Sequence, residues 1–167
     1  LPEVAEEISE AVARLANGIR DNYDIVIADT GQFWSGLTGE LLCNSSLVLI
    51  VMDQRRASAY GAIKALELCQ RLGIPMARIA FVLNRASGMS HSEIERIEDS
   101  LGCEELFHLA DGKTTIEALV GMGRIEELVE EGPAPIPDIE LLLTKLLPRI
   151  GIEFPAIERK KTRRFFT

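Results

Sequence analysis

Four places in this sequence put polar, chemically capable residues directly after an apolar run. Asp29-Thr30-Gly31 follows Tyr23-Asp24-Ile25-Val26-Ile27-Ala28, and Asp53-Gln54 follows Leu47–Met52. Asn84-Arg85 ends the run that begins at Ile79, and Ala110-Asp111-Gly112 follows Glu105–Leu109. A short, continuous, β-branched run is what a strand buried on both faces requires. Ligands of parallel sheets bind at the carboxyl ends of the strands, where these residues fall. A carboxylate leaving such a strand tip can orient a Mg²⁺-bound water beside a triphosphate. An aspartate there can also serve only as a turn or cap residue, so both readings of Asp29 stay open.

Two other stretches carry charge worth weighing. Gly112-Lys113-Thr114-Thr115 follows a strand-like run and opens a helical pattern, as the end of a phosphate-binding loop does. The leading glycine of such a loop would fall at Phe107, and glycine is needed there for backbone N–H groups to turn inward. The sequence therefore predicts that Phe107 belongs to the strand and that Asp111 or Thr114 caps the helix. The tail, Glu158-Arg159-Lys160-Lys161-Thr162-Arg163-Arg164-Phe165-Phe166, is basic and ends in two aromatics. It reads either as a solvated tail or as a contact with membrane, DNA or a partner protein. Near an anionic surface each Lys or Arg contributes about 1 kcal/mol, and Phe can insert.

The elements that must position these residues alternate. Val4, Ile8, Ala11, Val12, Leu15 and Ile19 recur at helical spacing from Pro2 to about Arg20. Short helical patterns follow over Gly39–Asn44 and Ser58–Leu72, the second closed by Gly73-Ile74-Pro75. Ser92-x-x-Glu95 predicts a capping box opening a helix that ends near Leu101-Gly102. Thr114-x-x-Glu117 could open another, and Asp138–Leu147 predicts a last one after the Pro133–Pro137 elbow. Four strands alternating with helices predict an α/β fold, a mostly parallel sheet with helices on both faces.

Composition bounds the function. The 167 residues suit one domain with a real core, and their net charge of −8 disfavours general binding to DNA or anionic membrane. Cys43, Cys69 and Cys103 are far apart and lie in apolar sequence. They read as buried, reduced thiols of a cytosolic protein and not as a zinc site. His91 and His108 have no partner at metal-ligand spacing. No apolar run approaches the ~18–20 residues of a membrane span, and no signal peptide is visible. Leu1 in place of methionine leads to the expectation that the chain is trimmed or cut from something longer.

Taken in order, these motifs resemble the MinD/ParA family of P-loop ATPases. In that family a tyrosine-aspartate entry, an apolar strand and an Asp-Thr-Pro-Pro-Gly-like switch precede a strand like Leu47–Met52. The next strand ends in asparagine plus a basic residue, as Asn84-Arg85 does, and the one after ends in a loop like Leu109-Ala110-Asp111. The resemblance covers roughly Glu3 to Leu147 and looks closest to the pilus-assembly branch, the CpaE/TadZ type. The family's Gly-Lys-Gly-Gly-x-Gly-Lys-[Ser/Thr] loop lies well upstream of the Asp29 strand. Here only 28 residues precede Asp29, and no Gly-x-x-x-x-Gly-Lys-[Ser/Thr] occurs. The Pro-Pro of the switch is replaced by Gly31-Gln32, followed by Phe33-Trp34, which read as core or subunit contacts.

The resemblance implies that residues 1–150 are the carboxyl-terminal half of a nucleotide-binding domain and 151–167 a basic tail. It implies a homodimer with ATP and Mg²⁺ bound between protomers, the first half of each domain supplying the phosphate loop. Asp29 would orient Mg²⁺-bound water as the catalytic and metal-site residue, and Thr30 and Gly31 would sense the γ-phosphate. Asn84 and Arg85 would lie at adenine, the asparagine amide offering both a donor and an acceptor. Ala110 and Asp111 would present backbone to the base. MinD proteins touch membrane through an amphipathic C-terminus, which makes Arg159, Lys160, Lys161, Arg163, Arg164, Phe165 and Phe166 the candidate contact here. The implied function is part of an ATP-dependent switch that positions a membrane- or pole-associated assembly, in the cytoplasm and peripheral to the inner membrane. This chain by itself is expected not to hydrolyse ATP. A non-catalytic scaffold with a degenerate nucleotide site is the alternative, and a DNA-partition ATPase the third, with DNA disfavoured by charge.

Overall fold

The computed structural model describes residue 11 and residues 14–16, 18–31 and 34–155. Three of the apolar runs form strands: β1 (Val48–Met52), β2 (Ile79–Ala86) and β3 (Leu106–Ala110). They pair in parallel in the order β1-β2-β3. The connecting helices are α1 (Gly36–Asn44) before β1, α2 (Arg56–Arg71) after it and α3 (His91–Leu101) between β2 and β3. After β3 come α4 (Lys113–Gly121), α5 (Ile125–Glu131) and α6 (Ile136–Leu146), then a 3-10 turn over Leu147–Ile150.

Register and pleat sort the side chains into two layers, because alternate residues of a strand face opposite ways. Ile50 lies beside Phe81, and Phe81 beside Leu106. With Val48, Met52, Ile79 and Leu83 they form one buried layer. It is covered by Ala62, Ala65, Leu66 and Cys69 of α2 and Leu101 of α3, with Leu42 of α1 packed at its margin. On the other face Ala80, Val82 and Phe107 pack under Leu142 and Leu146 of α6. The fold is therefore α/β with helices on both faces of a parallel sheet, as the alternation predicts.

Helix ends follow their local chemistry. α2 stops where Gly73 adopts φ +74°, and Ile74 N–H donates to Cys69 O at 2.9 Å, a Schellman closure. The predicted Ser92–Glu95 box is displaced by two residues. Ser90 is the N-cap of α3, and its N–H donates to Glu93 Oε2 at 2.9 Å. That bond holds the Glu93 carboxyl below its usual range. The sequence offers both serine–glutamate pairs, and the Ser90 pair starts the helix where Ile94 and Ile97 reach the core.

One strand does not form. Tyr23–Asp29 was expected to be buried on both faces, yet it has no strand pairing, and Ile27 is 89% exposed. A strand needs a neighbour to take its backbone N–H and C=O groups, and no described strand flanks this run. β1 shows the complementary feature. Its outer edge is unpaired among the described residues, and Leu49 and Val51 are 45% and 58% exposed on the layer that α6 covers farther along the sheet. Residues 11, 14–16 and 18–20 are helical, inside the expected first helix. Leu15 there is exposed, so it lacks the buried role its stripe predicts, while Val4, Ile8 and Val12 lie outside the described residues. Trp34 is also exposed and does not fill the core, and Phe33 lies outside the described residues. Of the three thiols only Cys69 is buried, its pKa pushed up by burial, whereas Cys43 is exposed. No described helix is long and apolar enough to cross a membrane.

Candidate functional site

Parallel pairing brings the carboxyl tips of β1, β2 and β3 into one row. Their polar residues are thus neighbours although about thirty residues separate Gln54 from Arg85. Gln54 Nε2 donates to Arg85 O at 2.6 Å and to Ser87 Oγ at 3.1 Å, tying the β1 tip to the β2 tip. At the β2–β3 boundary the register runs from Leu83–His108 to Ala86–Ala110, three residues against two. Asn84 and Arg85 sit in that bulge. Arg85 has φ +56°, a conformation non-glycine residues seldom adopt, and its side chain is exposed. Bulges of this kind bend a strand and re-aim its side chains. Asn84 Oδ1 accepts the Arg85 N–H at 3.0 Å, which engages the amide's acceptor and leaves its NH₂ group as a donor.

The β3 tip is pinned from behind. Ala110 N–H donates to Asp138 Oδ2 of α6 at 2.8 Å. Asp111 Oδ1 accepts the Lys113 N–H at 3.0 Å, a local turn just before α4. The N-cap of α4 is Gly112, without a side-chain cap bond, so neither Asp111 nor Thr114 caps the helix as expected. Gly112 is there for close packing. A Cβ at this position would stand 2.1 Å from Ile116 Cγ1 and 2.7 Å from Ala134 O. That packing requirement accounts for the glycine of Gly112-Lys113-Thr114-Thr115 without a bound phosphate. Phe107 is buried in β3, as the misplaced leading glycine predicts.

Asp29, Thr30 and Gly31 lie outside the sheet. Asp29 is exposed, and its Oδ1 accepts the N–H of Gly31 at 3.2 Å, a local turn. Asn84, Arg85, Ala110 and Asp111 are thus gathered at one edge, whereas Asp29, Thr30 and Gly31 belong to a segment with no strand pairing. Among the described residues no group of three or more His, Cys, Asp or Glu side chains could hold a metal. The tail residues Arg159, Lys160, Lys161, Arg163, Arg164, Phe165 and Phe166 lie outside the described residues.

Sequence reasoning gave no role to Asp53 or Gln54 beyond their position. Asp53 N–H donates to Ser58 Oγ at 3.0 Å, and its Oδ2 accepts Arg55 Nε at 2.7 Å. The Arg55 guanidinium, and then the Arg55 backbone N–H, hold the Asp53 carboxyl below the usual carboxylate range. A lowered folded-state pKa means that this contact stabilises the β1–α2 loop above the ordinary value. The contribution is lost as pH falls through the lowered one. In a carboxyl ¹³C titration Asp53 is expected to titrate below about 3.9, and Arg55→Ala to bring it back toward that value. An unchanged midpoint in the variant would contradict the assignment.

Fold and edge together define an α/β domain with a row of polar strand tips at the carboxyl end of a parallel sheet. No family model, curated protein or solved structure matches the chain.

Proposed function

We propose that this chain is a portion of a MinD/ParA-like ATP-dependent switch that positions a membrane- or pole-associated assembly from the cytoplasmic side. The observation that supports this most is the row of tips itself, with Asn84 and Arg85 held in a bulge beside Ala110 and Asp111. An amide donor next to a backbone edge suits an adenine ring. On this reading Asp29 orients a Mg²⁺-bound water, and Thr30 and Gly31 respond to the γ-phosphate. On the same reading Asn84 and the Ala110–Asp111 backbone would meet the base and Asp29 a metal-bound water. The sequence contains no Gly-x-x-x-x-Gly-Lys-[Ser/Thr] cradle for the triphosphate, which the family places on a separate loop and strand.

Topology supports a position for that strand. α1, α2 and α3 all pack against the same sheet layer. Right-handed crossovers that keep to one face step steadily across a sheet. On this reading a strand over Tyr23–Asp29, which the described residues do not show, would lie beyond the edge of β1 that is unpaired among the described residues. In the family the phosphate-loop strand runs between these two. Such a strand would pair both edges.

A second reading is favoured by the local turn at Asp29 and the loss of the switch prolines at Gly31-Gln32. It makes the protein a localisation scaffold that keeps the fold and the dimer surface without the chemistry. Asp29→Ala in the tagged full-length protein, imaged in its own cells, separates the two. The switch requires loss of the localised focus, and a wild-type focus would leave only the scaffold.

A further inference from the structure

The charge of this protein is segregated. Its last twelve residues hold five cations and one carboxylate, a net +4, so the other 155 residues carry −12. The surface of α5 is the described place that complements such a tail in both charge and polarity. Ile125, Glu126, Val129 and Glu130 line one shallow hollow on it. Ile125 and Val129 are 57% and 36% exposed, although Leu128 of the same helix is buried. Arg124 is taken up by Glu127, whereas Glu126 and Glu130 have no ion pair among the described residues. An aliphatic stripe flanked by two unpaired carboxylates asks for a cationic segment with large apolar side chains.

α3 is comparably acidic but does not have this character. Its Glu95 and Asp99 are exposed, yet Ile94, Ile97 and Leu101 all pack into the core, so it presents charge without an apolar stripe. Reach is sufficient as well. Eleven residues from Ala156 to Phe166 extend to about 36 Å. α6 and its 3-10 turn, which separate the chain's exit from the α5–α6 joint, span about 24 Å.

We infer that the basic, aromatic tail docks in cis on α5. Phe165 and Phe166 lie over Ile125 and Val129, and the cations of residues 159–164 sit opposite Glu126 and Glu130. This surface does not depend on nucleotide binding, and docking keeps the tail's cations and phenylalanines on the protein's own surface.

The test uses the full chain with a photo-cross-linking phenylalanine analogue in place of Phe166. Irradiation followed by mass spectrometry is expected to give cross-links within the monomer to residues 125–130. Reversing Glu126→Lys and Glu130→Lys together should lower that yield about tenfold, since each exposed pair contributes modestly and the reversal adds repulsion. Raising the salt on the unreversed chain should lower it too. Glu95→Lys with Asp99→Lys on α3 should leave it unchanged. Cross-links confined to a dimer would make a second copy the occupant and overturn docking in cis. So would cross-links elsewhere on the monomer, a yield indifferent to reversal and salt, or no protein cross-link at all, which would leave the tail to solvent or an anionic membrane.

Discussion

Phe81→Ala is expected to destabilise the domain by about 3–5 kcal/mol, the range for removing a buried aromatic side chain. Phe81 is 1% exposed at the middle of the central strand, flanked in register by Ile50 and Leu106. Its ring lies in the layer that α2 and α3 close over, and little in that layer can collapse into the void because Leu83 and Cys69 are also fully buried. Domains of this size hold only about 5–15 kcal/mol in total, so the variant should melt earlier by roughly 6–20 °C or fail to fold. Val51→Ala is the matched control. Val51 belongs to an equally apolar run but faces out from β1, and its truncation should change stability by about 0.5 kcal/mol or less. Thermal melts of the two variants check the layer assignment. Equal losses would contradict the uncovered face of β1.

The second large effect concerns nucleotide. This chain by itself is expected to show no saturable Mg–ATP binding below about 1 mM, a free energy weaker than about −4 kcal/mol. Triphosphate affinity comes mainly from a lysine and inward N–H groups that neutralise phosphate charge, and removing that element removes the dominant electrostatic contribution. The sequence contains no Gly-x-x-x-x-Gly-Lys-[Ser/Thr], and the glycine of Gly112-Lys113-Thr114-Thr115 is accounted for by packing. At the candidate edge Gln54 and the Asn84 carbonyl are already engaged with the β2 loop. Isothermal titration with Mg–ATP reads this directly. A micromolar dissociation constant, about −8 kcal/mol, would mean that a phosphate site exists in this chain that the reading has missed.

β1 and β2 were legible because a continuous apolar run is the signature of a strand covered on both faces, β3 gave a weaker signal because Glu105 and His108 interrupt its run, and the row of tips followed from their parallel order. Tyr23–Asp29 carries the same signature and forms no strand. Composition reports what a segment could pair with, whereas pairing depends on a neighbour that the run does not contain. α5 was missed for a different reason. Ile125, Leu128 and Val129 give only one turn of helical spacing among four glutamates, just after Gly121-Met122-Gly123, and so short a stretch reads as loop. The box at Ser90 was misplaced because Ser90–Glu93 and Ser92–Glu95 are the same motif offset by two residues. At the site, Asn84 and Arg85 could be placed at a strand end. The contacts of Gln54 with the β2 loop and of Asp138 with Ala110 could not be, since each joins residues 28 or more positions apart.

On the proposed reading this polar edge is half of a nucleotide site whose phosphate loop lies on a strand next to β1. The most direct test is to sequence the coding region upstream of the Leu1 codon. The expected result is a short apolar strand followed by Gly-x-x-x-x-Gly-Lys-[Ser/Thr] in the same reading frame. A start codon immediately before Leu1, or an upstream strand whose loop lacks the lysine and the glycines, would contradict it and leave the scaffold reading in its place.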